Sequence, residues 1–150
     1  KRNKRNMEKQ PQFPFAPKDF ARCLNATCPR SQNCLRRTAA LQDTDEHLFL
    51  KVVNPLRYPK EGEECELFRS TDKVRMAWGV THLLDNVPYK EGSLLRNMII
   101  NHLGRSQYYR CFRKERPFAP QDQQTIHMLF RQRGISEEPS FDYYTNEFNW

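Results

Sequence analysis

The sequence lacks the signatures of the common enzyme and membrane-protein classes. It contains no glycine-rich phosphate loop, no His-Glu-x-x-His metalloprotease motif and no Gly-x-Ser-x-Gly nucleophile elbow. It has no apolar run long enough to cross a bilayer, and no stretch with the basic, apolar and small-residue order of a signal peptide. These absences favour a cytoplasmic protein that does not use a membrane, and a binding or regulatory role rather than an enzymatic one.

The cysteines lack the C-x-x-C spacing of common zinc knuckles, but four of the five lie near one another in the chain. These are Cys23, Cys28, Cys34 and, after a longer gap, Cys65. Clustered cysteines in a reducing compartment more often bind metal than pair as disulfides, so these four thiols predict a structural zinc site. Cys111 lies far away in a basic segment and is expected to be a buried or incidental thiol.

Two alternatives to zinc stay open at this point. An iron-sulfur cluster also takes four cysteine ligands and tolerates varied spacings, and Cys28-Pro29 is similar to the Cys-Pro pair of some clusters. The other alternative is four buried thiols without a metal or any other cofactor. An iron-sulfur site would indicate an iron-sulfur or redox subunit, whereas a zinc ion would support the fold.

The formal net charge of +7 is spread unevenly along the chain. Lys and Arg dominate the first ten residues and the stretch 90–133, and neither occurs after Arg133. Such separation favours an anionic partner. We expect DNA to be that partner, with an acidic protein bound by an adaptor as the alternative. A basic surface that is merely solvated is a third interpretation.

The chain length of 150 residues suits one core, which we divide into three segments. Residues 1–12 form a basic arm expected to be disordered, 13–70 a four-cysteine module and 71–150 a helical module that makes one compact unit with it. The predicted fold class is mainly α or α+β. Its cysteine-rich N-terminal half, with short strands, packs on a helical C-terminal half that contains a candidate helix-turn-helix.

In the N-terminal half, the pattern predicts a helix over 31–41, with Ser31 as its N-cap. Strand-forming residues in 47–53 and 65–69 predict two short strands.

In the C-terminal half, helical spacing predicts a helix that starts at Thr71 or Asp72 and carries apolar residues as far as Leu84. Two more helices are expected at 93–103, closed by Gly104, and from Pro120 to a stop at Gly134. The aromatic tail 141–150 is expected to pack back onto the body.

Residues 98–116 are the candidate helix-turn-helix. In this interpretation Ser106 caps the second helix, Tyr109 and Phe112 hold it to the core, and its polar side chains face outward. Arg and Gln suit base edges, and Lys and Arg suit phosphates. The predicted nucleic-acid contacts are Arg105, Gln107, Arg110, Arg113, Lys114 and Arg116. The segment is similar to the DNA-reading part of phage-repressor-like helix-turn-helix domains over about forty residues. The alternative is a hairpin over 108–118.

The whole chain also resembles a family of small uncharacterised bacterial four-cysteine proteins. The shared motifs are Cys-x4-Cys-Pro-x4-Cys-Leu-Arg at 23–36, Gly-x-x-Cys-x-x-Phe at 62–68, Lys-Val-Arg-Met-Ala-Trp-Gly at 73–79 and Tyr-Tyr-Arg at 108–110. This resemblance implies one cysteine-bearing unit and no particular activity.

Overall fold

The structure, a computed structural model, describes residues 14–42 and 47–150, and its class is α+β, one of the two classes predicted. The chain forms two compact units, the first ending at Thr71 but including Trp150, and the second covering Asp72–Asn149. The regular elements of the described residues are α1 (Leu35–Gln42), β1 (Lys73–Trp78), α2 (Tyr89–Leu103), α3 (Arg105–Phe112), α4 (Pro120–Gln132) and β2 (Tyr143–Phe148), with short 3-10 turns at Ser31–Asn33 and Pro55–Arg57. The predicted basic arm 1–12 lies outside the described residues.

The first unit is built around the short helix α1. The predicted helix at 31–41 is divided, because a 3-10 turn precedes Cys34 and Cys34 itself has extended backbone angles of −115° and 118°. In that conformation Cys34 forms an isolated bridge with Ser70, and the N–H of Leu35 donates to the carbonyl of Arg69 at 2.7 Å. Leu35 and Ala39, one turn apart on α1, are both buried. Long-range backbone pairing therefore fixes where α1 begins.

The two strands predicted in the first unit are wrong as regular strands. Segment 47–53 has only one isolated bridge, between Arg22 and Val52, and 65–69 contains a turn. Strand-forming side chains need a neighbouring strand to pack beside, and here Leu48 and Phe49 are 94% and 87% exposed. The local pattern therefore indicated correctly that these segments are not helical, but the prediction that they form regular strands was wrong.

Arg22 stabilises the start of the first unit. Its side chain is buried, and Nη1 donates to the carbonyl oxygens of Pro17 at 2.9 Å, Lys18 at 3.0 Å and Phe20 at 2.5 Å. A buried guanidinium requires such acceptors because it cannot lose its charge. The loop at 17–20 is thereby closed around one side chain.

In the second unit, the helix predicted over 71–84 is wrong, because Lys73–Trp78 is strand β1. Strand β2 pairs with it antiparallel, in a register from Lys73 opposite Phe148 to Trp78 opposite Tyr143. Val74, Met76 and Trp78 fit a period of two, whereas Val74, Ala77, Trp78 and Thr81 fit a helical period. The tail packs back as predicted, and its pairing with β1 selects the strand.

Helices α2 and α4 match their predicted ends more closely. Helix α2 begins four residues before Ser93, and Gly104 ends it with φ 84° while its N–H donates to the Ile100 carbonyl at 2.8 Å. Pro120 occupies the first turn of α4, and Gly134 follows the helix at φ 72°. The largest fully buried apolar side chains of this unit come from these helices and the segment between them: Leu95, Ile99, Phe118, Ile126 and Phe130.

Residues 105–112 form helix α3, so the hairpin alternative is wrong. Tyr109 packs against the core as predicted, but Phe112 is 45% exposed, and the most buried residues of α3 are Tyr108 and Cys111, at 4% and 2% exposure. Only Gly104 separates α2 from α3, whereas a helix-turn-helix has a turn of about three to four residues. The helix-turn-helix interpretation stays a prediction.

Candidate functional site

The four predicted cysteine ligands line one small cavity in the first unit. This cavity has a volume of about 30 Å³, and Cys23, Cys28, Cys34 and Cys65 all contribute to its wall. A space of this volume holds a water-sized occupant. The fold therefore brings together four thiols that are separated by loops in the chain.

Backbone hydrogen bonds position three of these cysteines. The N–H of Cys23 donates to the carbonyl of Arg36 at 2.9 Å, which holds the first cysteine against α1. The carbonyl of Cys28 accepts from the N–H of Ser31 at 3.1 Å, and that of Cys65 accepts from the N–H of Phe68 at 3.2 Å. Each of the latter two thiols thus lies at the start of a tight turn, where a side chain can be directed into a shared space.

All five cysteines are free thiols. Over 14–42 and 47–150, no group of three or more His, Cys, Asp or Glu side chains is arranged so that it could hold a metal ion. The four thiols thus share a cavity without forming a coordination geometry. Cys111, expected to be buried or incidental, is buried in the second unit, and burial raises the pKa of its thiol.

Arg36 is the main charge beside the cysteines. Its Nε donates to the carbonyl of Leu67 at 2.7 Å and its Nη1 to that of Ala21 at 2.9 Å. Burial and the neighbouring Arg69 lower the pKa of Arg36, whereas three of the cysteines, Cys34, Cys23 and Cys65, act on it in the opposite direction. The Arg36 side chain therefore lies close enough to three of the four cysteines to interact with them electrostatically.

Sequence reasoning assigned no role to Arg36, although it closes the Cys-Leu-Arg motif. Arg37 and Arg57 line the same cavity, and the guanidinium of Arg30 stacks 3.5 Å from the ring centroid of Phe68, another lining residue. These four arginines are spread over nearly thirty residues of the sequence, so only the folded structure shows that they lie near one cavity. It suits an anionic metal-thiolate centre.

A larger open depression of about 580 Å³ lies in the same unit and shares seven lining residues with the cysteine cavity, among them Arg36, Arg57 and Cys65. Its wall also contains Glu63, Glu64 and Glu66, together with Arg57 and Lys60. The opposing charges partly pair, since Arg57 Nη2 lies 3.6 Å from Glu66 Oε2. The sequence did not indicate this depression.

The residues predicted to contact nucleic acid lie on α3 and the turn after it, and several are engaged within the unit. Arg113 makes a two-pronged contact with Glu115 at 2.7 and 3.1 Å. Lys114 Nζ lies 3.0 Å from Asp142 Oδ2. Arg116 donates to the Gln107 side chain at 2.6 Å.

The remaining two predicted cations are less strongly held. Arg110 Nε lies 4.0 Å from Glu115 Oε2 and its side chain is 48% exposed. Arg105 lies 5.8 Å from the centroid of the Tyr109 ring and forms no ion pair among the described residues. These cations are therefore unequal, and Arg105 and Arg110 are the two that are least engaged by other groups of the unit.

The fold and the site define an α+β protein with a cysteine-lined cavity in one unit and an arginine-rich helix in the other. The chain belongs to a family of unknown function (DUF6078), whose model matches residues 7–150. Searches of curated proteins and of solved structures found no match. Among the described residues, no helix is both long and apolar enough to span a membrane.

Proposed function

We propose that the first unit is a four-cysteine metal-binding module that takes zinc as a structural ion. The observation that carries this proposal is that Cys23, Cys28, Cys34 and Cys65 line a single cavity with the Arg36 guanidinium beside them. Cysteine has one side-chain torsion before its sulfur, so rotation of thiols already around one cavity is the smallest change that could close a tetrahedral site.

The small core of the first unit supports the need for a metal. Its described buried apolar residues are Phe20, Cys34, Leu35, Ala39 and Val53. A module with so little buried apolar surface gains much of its stability from a cross-link such as a metal ion. The volume of about 30 Å³ favours a single ion. A cluster of several iron and sulfide ions would require a much larger space.

The test is elemental analysis of protein purified without added chelator, combined with thiol titration. We expect about one zinc per chain, and fewer reactive thiols in the native protein than in the denatured protein. Cys34→Ser and Cys65→Ser should lose the metal, whereas Cys111→Ala should retain it. Alanine is the better control because serine would place a hydroxyl in the core of the second unit.

Three outcomes decide between the candidates. Zinc that is lost in the two serine variants supports the proposal. Iron with a brown colour after anaerobic purification would replace it with the iron-sulfur alternative. If the protein contains neither metal and all four thiols react in the native state, the remaining interpretation is four thiols without a metal.

A second candidate function is binding of duplex DNA by the second unit. The exposed Arg105 and Arg110 on the short helix α3 favour it, because they are the two predicted cations least engaged within the unit. The role predicted for Arg113 and Lys114 as phosphate contacts is weakened, since both pair with carboxylates of this unit. In this proposal the protein is an accessory or regulatory nucleic-acid-binding protein.

Fluorescence anisotropy with a labelled duplex at two salt concentrations tests this second candidate. Arg105→Gln and Arg110→Gln should each weaken binding and reduce the salt slope by about 0.9, the value for one phosphate contact. Arg113→Gln is the matched control, and it should change the slope less. No binding at low salt would leave the adaptor for an acidic protein as the better interpretation of the basic surface.

A further inference from the structure

One face of the β1–β2 sheet combines cations with aromatic rings. The antiparallel register places Lys73 opposite Phe148, Arg75 opposite Asn146 and Ala77 opposite Tyr144. Residues that are directly opposite, or two apart on a strand, point to the same side of a sheet. The face therefore consists of Lys73, Arg75, Ala77, Tyr144, Asn146 and Phe148, which include two cations and two aromatic rings but no acidic residue.

The cations and rings of this face are in contact. The Arg75 guanidinium lies 3.7 Å from the centroid of the Tyr144 ring, and Lys73 Nζ lies 5.5 Å from that of Phe148. Lys73, Arg75 and Asn146 are exposed, Tyr144 is 39% exposed, and Phe148 is half-buried. Ala77, at one end, is fully buried. The accessible part of the face is thus a short platform between Lys73 and Tyr144.

The opposite face of the sheet differs in character. There the Trp78 and Tyr143 rings stack with centroids 5.9 Å apart, and the Trp78 indole N–H donates to Thr145 Oγ1 at 2.7 Å. It also contains the acidic Glu147. Two adjacent tyrosines therefore lie in different surroundings, Tyr144 on the cationic platform and Tyr143 against a tryptophan.

We propose that this platform binds a single-stranded nucleic acid. Bases stack on aromatic rings and on guanidinium planes, so the Arg75–Tyr144 pair offers a stacking surface. Lys73 and Arg75 supply positive charge for the phosphates that link successive bases, and the exposed Asn146 amide can donate to and accept from a base edge. A single strand fits this surface because its bases are free to turn outward, whereas the bases of a duplex are stacked on one another.

This proposal requires neither the zinc site nor duplex binding by α3, because it uses other residues and another form of nucleic acid. The experiment titrates the full chain into short fluorescein-labelled poly-U and poly-dT strands, and binding is measured as the fluorescence anisotropy of the label at two salt concentrations. Tyr144→Leu, which keeps an apolar side chain on the strand, should weaken binding about five-fold or more. Arg75→Gln should weaken it and reduce the salt slope by about 0.7.

Tyr143→Leu and Arg96→Gln are the matched controls. The first changes the neighbouring tyrosine on the other face, and the second an exposed arginine on α2. Thermal melts of all four variants identify any that fail to fold. Equal loss of affinity in Tyr144→Leu and Tyr143→Leu would overturn the proposal. Competition by polyglutamate as effective as that by unlabelled poly-U would also overturn it, because attraction of any polyanion would then explain the binding. If single strands bind as expected but duplex DNA does not, only the proposal that α3 binds duplex DNA is refuted.

Discussion

Asp142 forms polar contacts with two distant parts of the second unit, the segment at the end of β1 and the turn after α3. Its carboxylate accepts from the Thr81 N–H at 3.0 Å and the Thr81 hydroxyl at 2.7 Å, and it pairs with Lys114 at 3.0 Å. Its own N–H donates to the carbonyl of Trp78 at 2.9 Å. One side chain that is about one-tenth exposed thus joins the end of β1, the end of α3 and the tail.

Gly79 lies against this carboxylate, and we predict that Gly79→Ala is destabilising. The backbone φ of Gly79 is 72°, and an added Cβ would lie 2.7 Å from Asp142 Cγ and 2.7 Å from Lys114 Cε. Because Asp142 is held by several hydrogen bonds, it cannot move aside without losing them. Backbone strain and overpacking together should reduce the free energy of unfolding by at least about 2 kcal/mol.

Urea denaturation measures this effect, with Gly134→Ala as the control. Gly134 has the same φ of 72°, but nothing lies within 4 Å of an added Cβ, so strain alone should cost about 1 kcal/mol. Equal losses in the two variants would show that the contact with Asp142 is unimportant.

We also predict that Asp142 contributes to acid sensitivity. Burial alone would raise the pKa of Asp142, but hydrogen bonds from Thr81 and Lys114 prevail and hold the pKa below its ordinary value. A lowered pKa in the folded state stabilises the protein above the unfolded pKa of about 3.9, and this stability is lost as the pH falls through the folded value. The difference in unfolding free energy between the wild type and Asp142→Asn should therefore be constant above about pH 5 and shrink below about pH 4.

Urea titrations across this pH range provide the measurement. Glu137→Gln is the control, because Glu137 is exposed and makes no ion pair in the described part of the chain. A difference for Asp142→Asn that persists unchanged to pH 2 would contradict the prediction.

At the scale of elements, the sheet joins two strands, β1 and β2, that lie far apart in the sequence. The hydrogen bond from the Trp78 indole to Thr145 joins residues 67 positions apart and reinforces the ladder between β1 and β2. A two-stranded sheet is marginal by itself, so side-chain contacts across it matter for its stability.

We predict that Thr145→Val destabilises this sheet. Valine has a similar shape and favours strands, but it cannot accept the indole proton. The unfolding free energy should fall by about 1 kcal/mol. Thr145→Ser keeps the acceptor and should lose less. Near-ultraviolet circular dichroism and thermal melts would check both variants, and a valine variant as stable as the wild type would show that water satisfies the indole.

At the scale of the whole molecule, the two tryptophans belong to different units. Trp150 belongs to the first unit, where its ring meets that of Phe20 edge-on with centroids 5.3 Å apart, and Trp78 belongs to the second. Each unit therefore has its own fluorescent reporter. The second unit has the larger set of buried apolar residues, and the first unit would depend more on a metal.

We predict that a strong zinc chelator changes the emission of Trp150 and leaves that of Trp78 unchanged. Loss of a structural ion removes stability from the unit that holds it, so Trp150 should become exposed to water. The single-tryptophan variants Trp78→Phe and Trp150→Phe separate the two signals. Equal red shifts in both variants would indicate that the metal supports the whole protein.

Local patterns in the sequence predicted a class that is mainly α or α+β, and the ends of two helices. Pro120 and Gly104 mark helix boundaries for reasons contained within a few residues, namely a fixed backbone angle and the absence of a Cβ. The cysteine cluster was visible for a similar reason, because three of its four members lie within twelve positions of the chain.

The tertiary structure decided the features that depend on distant partners. Strand β1 was mistaken for a helix because its apolar residues suit both periods, and only pairing with β2 selects the strand. The burial of Tyr108 and Cys111 on α3, in place of the predicted Phe112, likewise depends on how that helix packs against the rest of the unit. The placement of four thiols around one cavity with Arg36, and of Arg75 over Tyr144, likewise required the folded chain, because charge and ring contacts depend on distances in space rather than on separation in sequence.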